Sequence, residues 1–253
     1  MTGWGVDGDR ALSADRPGVA VVIPMANEGE TVDRLLKDIV AELAPGDQVF
    51  CVLDSVSTDH TRERVEDVGD ERVHLVWHPE GTCVVDAYFR GYQEALATEA
   101  EWILEMDAGF SHDPAQIPQF LAAMGGGVDL AVGTRFAPGG AYDGRWSRRF
   151  LSWGGTVVAN RYLGTRMSDM TSGYECFTRR ALEHVVERGV RSRAHFFQTE
   201  IRAMLHEWDW VEVPITYCNP STAAGIGPIR EAVRNLRLLK RDLEEQQAAA
   251  PAG

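Results

Sequence analysis

The chemistry in this 253-residue chain gathers where apolar runs give way to acids. Glu101 to Pro114 reads EWILEMDAGFSHDP. Trp102, Ile103, Leu104 and Met106 form an apolar run too short for a typical helix, followed by Asp107 and bounded by Gly109 and Pro114. Such a run predicts a buried strand that delivers Asp107 at its carboxyl end, the edge at which open α/β sheets bind ligands. A carboxylate there has two ordinary uses, holding a divalent cation on a substrate phosphate or hydrogen-bonding a sugar. The competing reading is that Asp107 caps the helix starting near Pro114. Two further strands end on polar residues: Gly18 to Pro24 leads to Asn27 and Glu28, and Gln48 to Asp54 ends on an acid followed by Ser55.

The elements that must position these groups alternate along the chain. After the Gly18–Pro24 strand, Val32, Leu35, Leu36, Ile39, Val40 and Leu43 recur at helical spacing over 30–43. The 48–54 strand precedes a helix over 59–68 with Ser57 or Thr58 as its N-cap, a strand over 72–78, a helix over 86–98 and then the Asp107 strand. This order predicts a mainly parallel sheet with right-handed crossovers. The second half adds a helix over 113–124, a strand over 128–136 ending near Arg135, a helix over 147–163, a polar turn from Ser168 leading to a strand, a helix over 195–208, a strand over 210–217 and a helix over 228–243. The expected organisation is a flexible arm over 1–17, one α/β domain over 18–225, and a basic amphipathic helix and tail over 226–253.

Composition bounds what such a domain can do. With 44% hydrophobic and 25% charged residues the chain has an ordinary globular make-up, and a formal charge of −13 argues against nucleic-acid binding through the surface at large. Four scattered cysteines form no CxxC pair, so neither a zinc site nor a disulfide framework is expected. The sequence shows no secretion signal and no apolar run near the ~20 residues that cross a bilayer, which reads as cytoplasmic. Neither GxGxxG nor GxxxxGK[ST] follows the first strand, against dinucleotide oxidoreductases and P-loop enzymes.

The order of motifs resembles glycosyltransferase family 2, in the branch of dolichyl-phosphate mannosyltransferases and other polyprenyl-phosphate glycosyltransferases. The matching segments are VVIPMANEGE, VLDSVSTDHT, AYFRGY, MDAGFSHDP, VGTRF, RWSRRFLSWGG, SDMTSGYECFTRRAL, FFQTE and WVEVPITY, in family order from about Val19 to Tyr217. The resemblance implies an α/β GT-A fold with a mainly parallel central sheet and helices on both faces. It implies an inverting transferase that moves a hexose-type sugar from a nucleotide-sugar to a polyprenyl (dolichyl-type) phosphate or a small hydroxylated acceptor. Carried over position by position, Pro24, Asn27, Glu28, Asp54, Ser55, Asp107 and Gln198 would face the donor. Asp107, Arg135, Asp169 and Glu200 would form the catalytic set, Asp107 would hold Mg²⁺ or Mn²⁺, and Arg148 and Ser152 would grip an acceptor phosphate.

The departures from that pattern fall on the donor side. The family's DDG is here Asp54-Ser55-Val56, and its DxD is Asp107-Ala108-Gly109, which removes the second acid of the metal site. Ser111 stands where a further ligand is expected, and His112 reads first as a polar loop or cap residue and second as a substitute ligand. The glycine-rich segment before the third helix is replaced by Gly81 to Asp86, and no lysine follows Ser221. Metal binding is therefore expected to be weak or absent. Rival roles stay open: Asp169 as an Asx-turn acid, Glu200 as a base or an orienting group, Arg148 as solvated surface, and the tryptophans as core or groove lining. The basic helix at the C-terminal end is either a peripheral membrane contact on the cytoplasmic face or a helix packed on the domain with a solvated face. Two wider alternatives also stand, a soluble tailoring glycosyltransferase and a silent fold that binds a nucleotide-sugar or a protein.

Overall fold

A computed structural model describes residues 16–218 and 226–249. The arm expected over 1–17 lies outside these except for its last two residues, where Arg16 donates to Asp47 Oδ1 at 3.0 Å.

Seven strands form the central sheet in the order β3-β2-β1-β4-β7-β5-β8. They are β1 (Val19–Pro24), β2 (Gln48–Leu53), β3 (Val73–Trp77), β4 (Trp102–Glu105), β5 (Leu130–Thr134), β7 (Glu175–Thr178) and β8 (Trp210–Pro214). β7 runs antiparallel between β4 and β5, and the other pairings are parallel. Beside the sheet, β6 (Ala141–Tyr142) and β9 (Thr216–Tyr217) form a small two-stranded ribbon. The apolar runs read as strands because they are covered twice. Val19, Val21 and Ile23 face one core with Leu35 and Ile39 of α1 (Val32–Ala41), Val65 of α2 (Thr61–Glu66) and Phe120 of α4 (Ile117–Met124). Ala20 and Val22 face the other, with Tyr88 and Tyr92 of α3 (Val84–Leu96), Leu182 of α6 (Arg179–Arg188) and Ile201 of α7 (Phe197–Met204). Cys51 is a core thiol, as its place in an apolar strand predicts.

The structure decides three local readings. Asp59, not Ser57 or Thr58, accepts the first N–H of α2, from Thr61 at 3.0 Å. The cap of the turn at Pro114 is Asp113, which accepts from Ala115 N at 3.0 Å, so Asp107 is not spent on capping. Trp146 and Trp153, on α5 (Trp146–Leu163), take the groove-lining reading over the core one, being exposed. The last helix, α8 (Ile226–Ala249), is longer than expected and buries Leu236 and Leu239.

Candidate functional site

Because β2, β1 and β4 are adjacent and parallel, their carboxyl ends bring 54–59, 27–28 and 107–110 together, as the strand order requires. Asn27 ties two of these loops. Its Oδ1 accepts from Thr58 N at 3.0 Å and its Nδ2 donates to Val56 O at 3.2 Å. Asp54 is buried and holds its own turn, accepting from Val56 N at 2.9 Å, while Ser55 is exposed and Pro24, at the end of β1, is half-buried. Glu28 is half-buried with its carboxylate against Gly109, accepting from Thr31 Oγ1 at 2.9 Å. Burial first, and then the neighbouring Asp59 and Asp107, push the Glu28 carboxyl above its usual range.

Asp107 is fixed from two directions. Tyr88 of α3 donates to its Oδ1 at 2.7 Å, and its own N–H donates to His112 Nδ1 at 2.9 Å. His112 is fully buried between Tyr174 and Tyr217, ring centroids 4.7 and 5.3 Å away, and burial holds its pKa down at about 4. A neutral ring whose Nδ1 accepts must carry its proton on Nε2, so His112 offers no lone pair to a metal. It orients Asp107 instead, with Nε2 3.9 Å from Oδ2.

The Ser168 turn supplies the other half. Asp169 is buried and binds Arg135 through both oxygens, Nε–Oδ2 2.7 Å and Nη2–Oδ1 2.9 Å. It also accepts from Thr171 N at 3.0 Å, so it is an Asx-turn acid as well as an arginine partner. Burial opposes its charge, but Arg135, with Arg202 and the Thr171 N–H, holds the carboxyl below its usual range. The Arg135 guanidinium lies 5.2, 5.9 and 5.3 Å from the rings of Phe136, Tyr142 and Tyr217. Gly173 closes the turn against the first half: a Cβ there would stand 3.0 Å from Gln198 Nε2 and 3.5 Å from Asp107 Oδ1.

Behind the site lies a charged layer that the motifs do not indicate. Glu105 and Glu175 pair directly across β4 and β7, both fully buried. Gln198 donates to Glu105 Oε1 at 2.7 Å, and Tyr92 meets Oε2. Arg202, one turn along α7, donates to Glu175 Oε1 at 2.6 Å, to Ser172 O at 3.0 Å and to the carbonyl of Asp169. Burial and the facing Glu175 push Glu105 far up, with no cation to offset them, so Glu105 is the member that keeps a proton. Glu200 points elsewhere. It accepts from Arg191 N at 2.7 Å and from Ser192 N at 3.1 Å and Oγ at 2.5 Å, and burial raises its pKa. The signals for Glu105 and Arg202 are an acid inside an apolar strand run and an arginine four residues after Gln198.

Arg148 and Ser152 lie half-buried on one face of α5, in line with Thr156, which accepts from Met170 N at 3.0 Å. That face turns toward the Asp169 loop. The opposite face carries Trp146 (81% exposed), Phe150, Leu151, Trp153, Val157 and Val158. Trp146, Arg149, Phe150 and Trp153 join Phe136, next to Arg135, around an open groove of about 480 Å³.

Among the described residues no three His, Cys, Asp or Glu side chains are grouped to hold a metal. Of the hard oxygen donors here, Glu28 lies beside the bare Cα of Gly109 and Asp107 is near enough for its charge to act on Glu28, and neither is in an ion pair with Lys or Arg among the described residues. This donor set fits a hard divalent cation that takes its remaining ligands from substrate phosphates and water.

Comparison with known proteins agrees with this geometry. The family model described as glycosyl transferase family 2 matches residues 20–186. The chain is 32% identical over 203 residues to the polyprenol monophosphomannose synthase of Mycolicibacterium smegmatis, a match covering 78% of this chain and 76% of that protein. It is 30% identical over 228 residues to the undecaprenyl-phosphate mannosyltransferase of Micrococcus luteus, covering 86% and 92%. Among solved structures, glucosyl-3-phosphoglycerate synthase from Mycobacterium tuberculosis bound to UDP aligns with a TM-score of 0.67 over 95% of this chain and 86% of that one, at 16% identity. The same enzyme in complex with Mn²⁺, UDP and phosphoglyceric acid gives 0.67 at 17% identity. The likeness shows the GT-A fold.

Proposed function

The chain belongs to glycosyl transferase family 2, and from that premise we propose that it moves a hexose, mannose being the first to test, from a nucleotide-sugar to a polyprenyl phosphate with inversion. The observation that carries this reading is the position of α5. One face of the helix continues Arg148 and Ser152 toward the Asp169 loop, and the other exposes tryptophans and apolar residues.

In this reading the nucleotide lies over the 27–28 and 54–59 loops, and its diphosphate reaches Asp107. Asp107, oriented by Tyr88 and His112, holds Mg²⁺ or Mn²⁺, which when bound neutralises charge on the departing diphosphate. Arg148 presents a planar fork to the acceptor phosphate and Ser152 a hydroxyl. Arg135, kept in place by Asp169, faces the transferred sugar. A phosphate acceptor is already an anion and needs no strong base, so Glu200 acts through the Arg191–Ser192 turn that it holds.

The exposed face of α5 suits a lipid-borne acceptor. Its sequence from Trp146 to Leu163 has three arginines and no acid, the pattern of a helix lying in a membrane interface. Lys240 of α8 sits 4.6 Å over the Tyr162 ring, bringing the basic side of α8 alongside. No helix among the described residues is long and apolar enough to cross a membrane.

The test is to screen GDP, UDP, dTDP and CDP with and without Mn²⁺ by thermal shift, on wild type and Asp107→Ala. The stabilising nucleotide's sugar is then offered with polyprenyl phosphate and the sugar recovered in the lipid phase is measured. A ligand at 100 times its dissociation constant adds about 2.7 kcal/mol, a visible rise in Tm. One nucleotide stabilising through Asp107, followed by transfer to lipid, is expected. Stabilisation by none of them would sink the reading and favour a silent fold. Binding with transfer only to soluble alcohols would favour a tailoring enzyme.

A further inference from the structure

We propose that Glu28 supplies the second carboxylate of the cation site, in the place that Gly109 leaves vacant in this chain. The proposal rests on the donor-site reading above and assigns a ligand that the motif itself lacks.

Gly109 lies in the left-handed region of backbone space. Its φ is +66°, and a Cβ built there would lie 3.0 Å from both Glu28 Oε1 and Oε2. The Glu28 carboxylate therefore stands where a side chain at 109 would emerge. A side chain at 109 would crowd Glu28 in this rotamer and make its carboxylate shift, so a glycine there leaves room for it.

The approach is built into the backbone. Asn27 and Phe110 are the described non-glycine residues with positive φ, at 59° and 57°, and they flank the two facing positions. Such conformations persist only where the surroundings over-determine them. Asn27 is held by its bonds to Val56 and Thr58, and Phe110 lies under the Arg34 guanidinium at 5.0 Å. Thr31 fixes Glu28 Oε2, while Oε1 receives none of the hydrogen bonds found among the described residues.

The neighbourhood asks for a cation. The charges of Asp59 and Asp107 both act on Glu28, and no Lys or Arg among the described residues pairs with Glu28, Asp59 or Asp107. A second sign comes from His112, whose fully buried Nε2 has no hydrogen-bond partner among the described residues and lies near Asp107 Oδ2. It stands 3.9 Å from that oxygen, on the side where a group that orients a ligating carboxylate would be. Mg²⁺ and Mn²⁺ prefer oxygen ligands, and one or two carboxylates with substrate phosphates and water make up a usual set.

The test titrates Mn²⁺ into the full-length chain and follows the free-ion electron paramagnetic resonance signal, alone and with whichever nucleoside diphosphate raises Tm. Glu28→Gln is expected to weaken Mn²⁺ binding by more than the ~10–100-fold typical of losing an outer-shell partner. Glu28→Gln/Gly109→Asp is expected to regain it, since Asp tolerates positive φ better than most residues. In Gly109→Asp alone two carboxylates compete for one place, so Tm should fall without metal and recover with Mn²⁺. Mn²⁺ binding lost in Asp107→Asn but unchanged in Glu28→Gln overturns the proposal and leaves the donor-site reading standing. A wild type that binds neither nucleotide nor Mn²⁺ overturns both.

Discussion

Asp169 holds Arg135 with two hydrogen bonds, 2.7 and 2.9 Å, while its own backbone carbonyl is held by Arg202. One residue thus joins the site's buried arginine to the charged layer behind the sheet. Arg202 in turn reaches Glu175 on β7, which faces Glu105 on β4, the strand that leads into Asp107. Positions far apart in sequence are set by one connected group of side chains.

Asp169→Asn leaves the Arg135 charge buried and half-partnered. Breaking a buried pair from one side costs about 3–5 kcal/mol, which for a domain of this size is a Tm drop on the order of 10 °C. The folded-state carboxyl lies below its usual range, so its stabilising effect is present above the unfolded pKa and lost as pH falls through the lower folded value. The gap between wild type and variant should therefore be full at pH 7 and narrow below about pH 4. A variant with unchanged Tm at pH 7 would show that the pair contributes no net stability.

His112 also lowers stability toward acid, in a higher pH window. Its folded pKa is held down from 6.5 to about 4, so the unfolded chain takes up a proton that the folded state refuses. Stability should decline as pH falls from 6.5 toward 4, by on the order of 3 kcal/mol from this group, and level off below. His112→Asn keeps an acceptor for the Asp107 N–H but does not titrate, so its urea midpoint should lack that part of the decline. Parallel pH profiles for the two proteins would refute the assignment.

The alternation of apolar runs and helical spacings made the sheet and its carboxyl edge legible, because strands covered on both faces must be apolar throughout. Asp107, Asp54 and Asn27 were legible for the same reason, as polar residues just beyond such runs. The antiparallel β7 was not, since nothing in ECFT fixes a direction. Glu105 and Glu175 were hidden because a buried acid is recognised by its partners, and those come from α3 and α7. The placement of Glu28 against Gly109 depends on the meeting of two loops that sequence spacing does not describe.

Glu105→Gln should stabilise the protein at alkaline pH. The Glu105 pKa is raised far above 4.5, so the folded state keeps a proton that the unfolded chain gives up. That stabilising effect is complete below the unfolded pKa and is lost as pH rises toward the folded value. Glutamine is close in shape to the protonated acid and can still meet Tyr92 and Gln198. Wild type and variant should unfold alike near pH 4.5, with the variant increasingly more stable at pH 7 and above. A variant less stable than wild type at pH 8 would mean that the proton sits on Glu175 instead.

The exposed face of α5 can be separated from folding. Trp146 and Phe150 are 81% and 64% exposed, so Trp146→Ser and Phe150→Ser should each change stability by less than about 0.5 kcal/mol. If the helix lies in a membrane interface, the pair of changes removes apolar area that binding would bury, and arginines alone would hold only through salt-sensitive attraction to anionic lipid. Co-sedimentation with vesicles containing phosphatidylglycerol should fall at least tenfold in the double variant, and what remains should vanish at about 0.5 M salt, where exposed charges are screened beyond a few ångströms. Transfer to a water-soluble short-chain acceptor should be affected far less than transfer to full-length lipid in vesicles. Equal loss on both acceptors would place Trp146 and Phe150 against the acceptor itself, in the groove they share with Phe136, and not at a membrane.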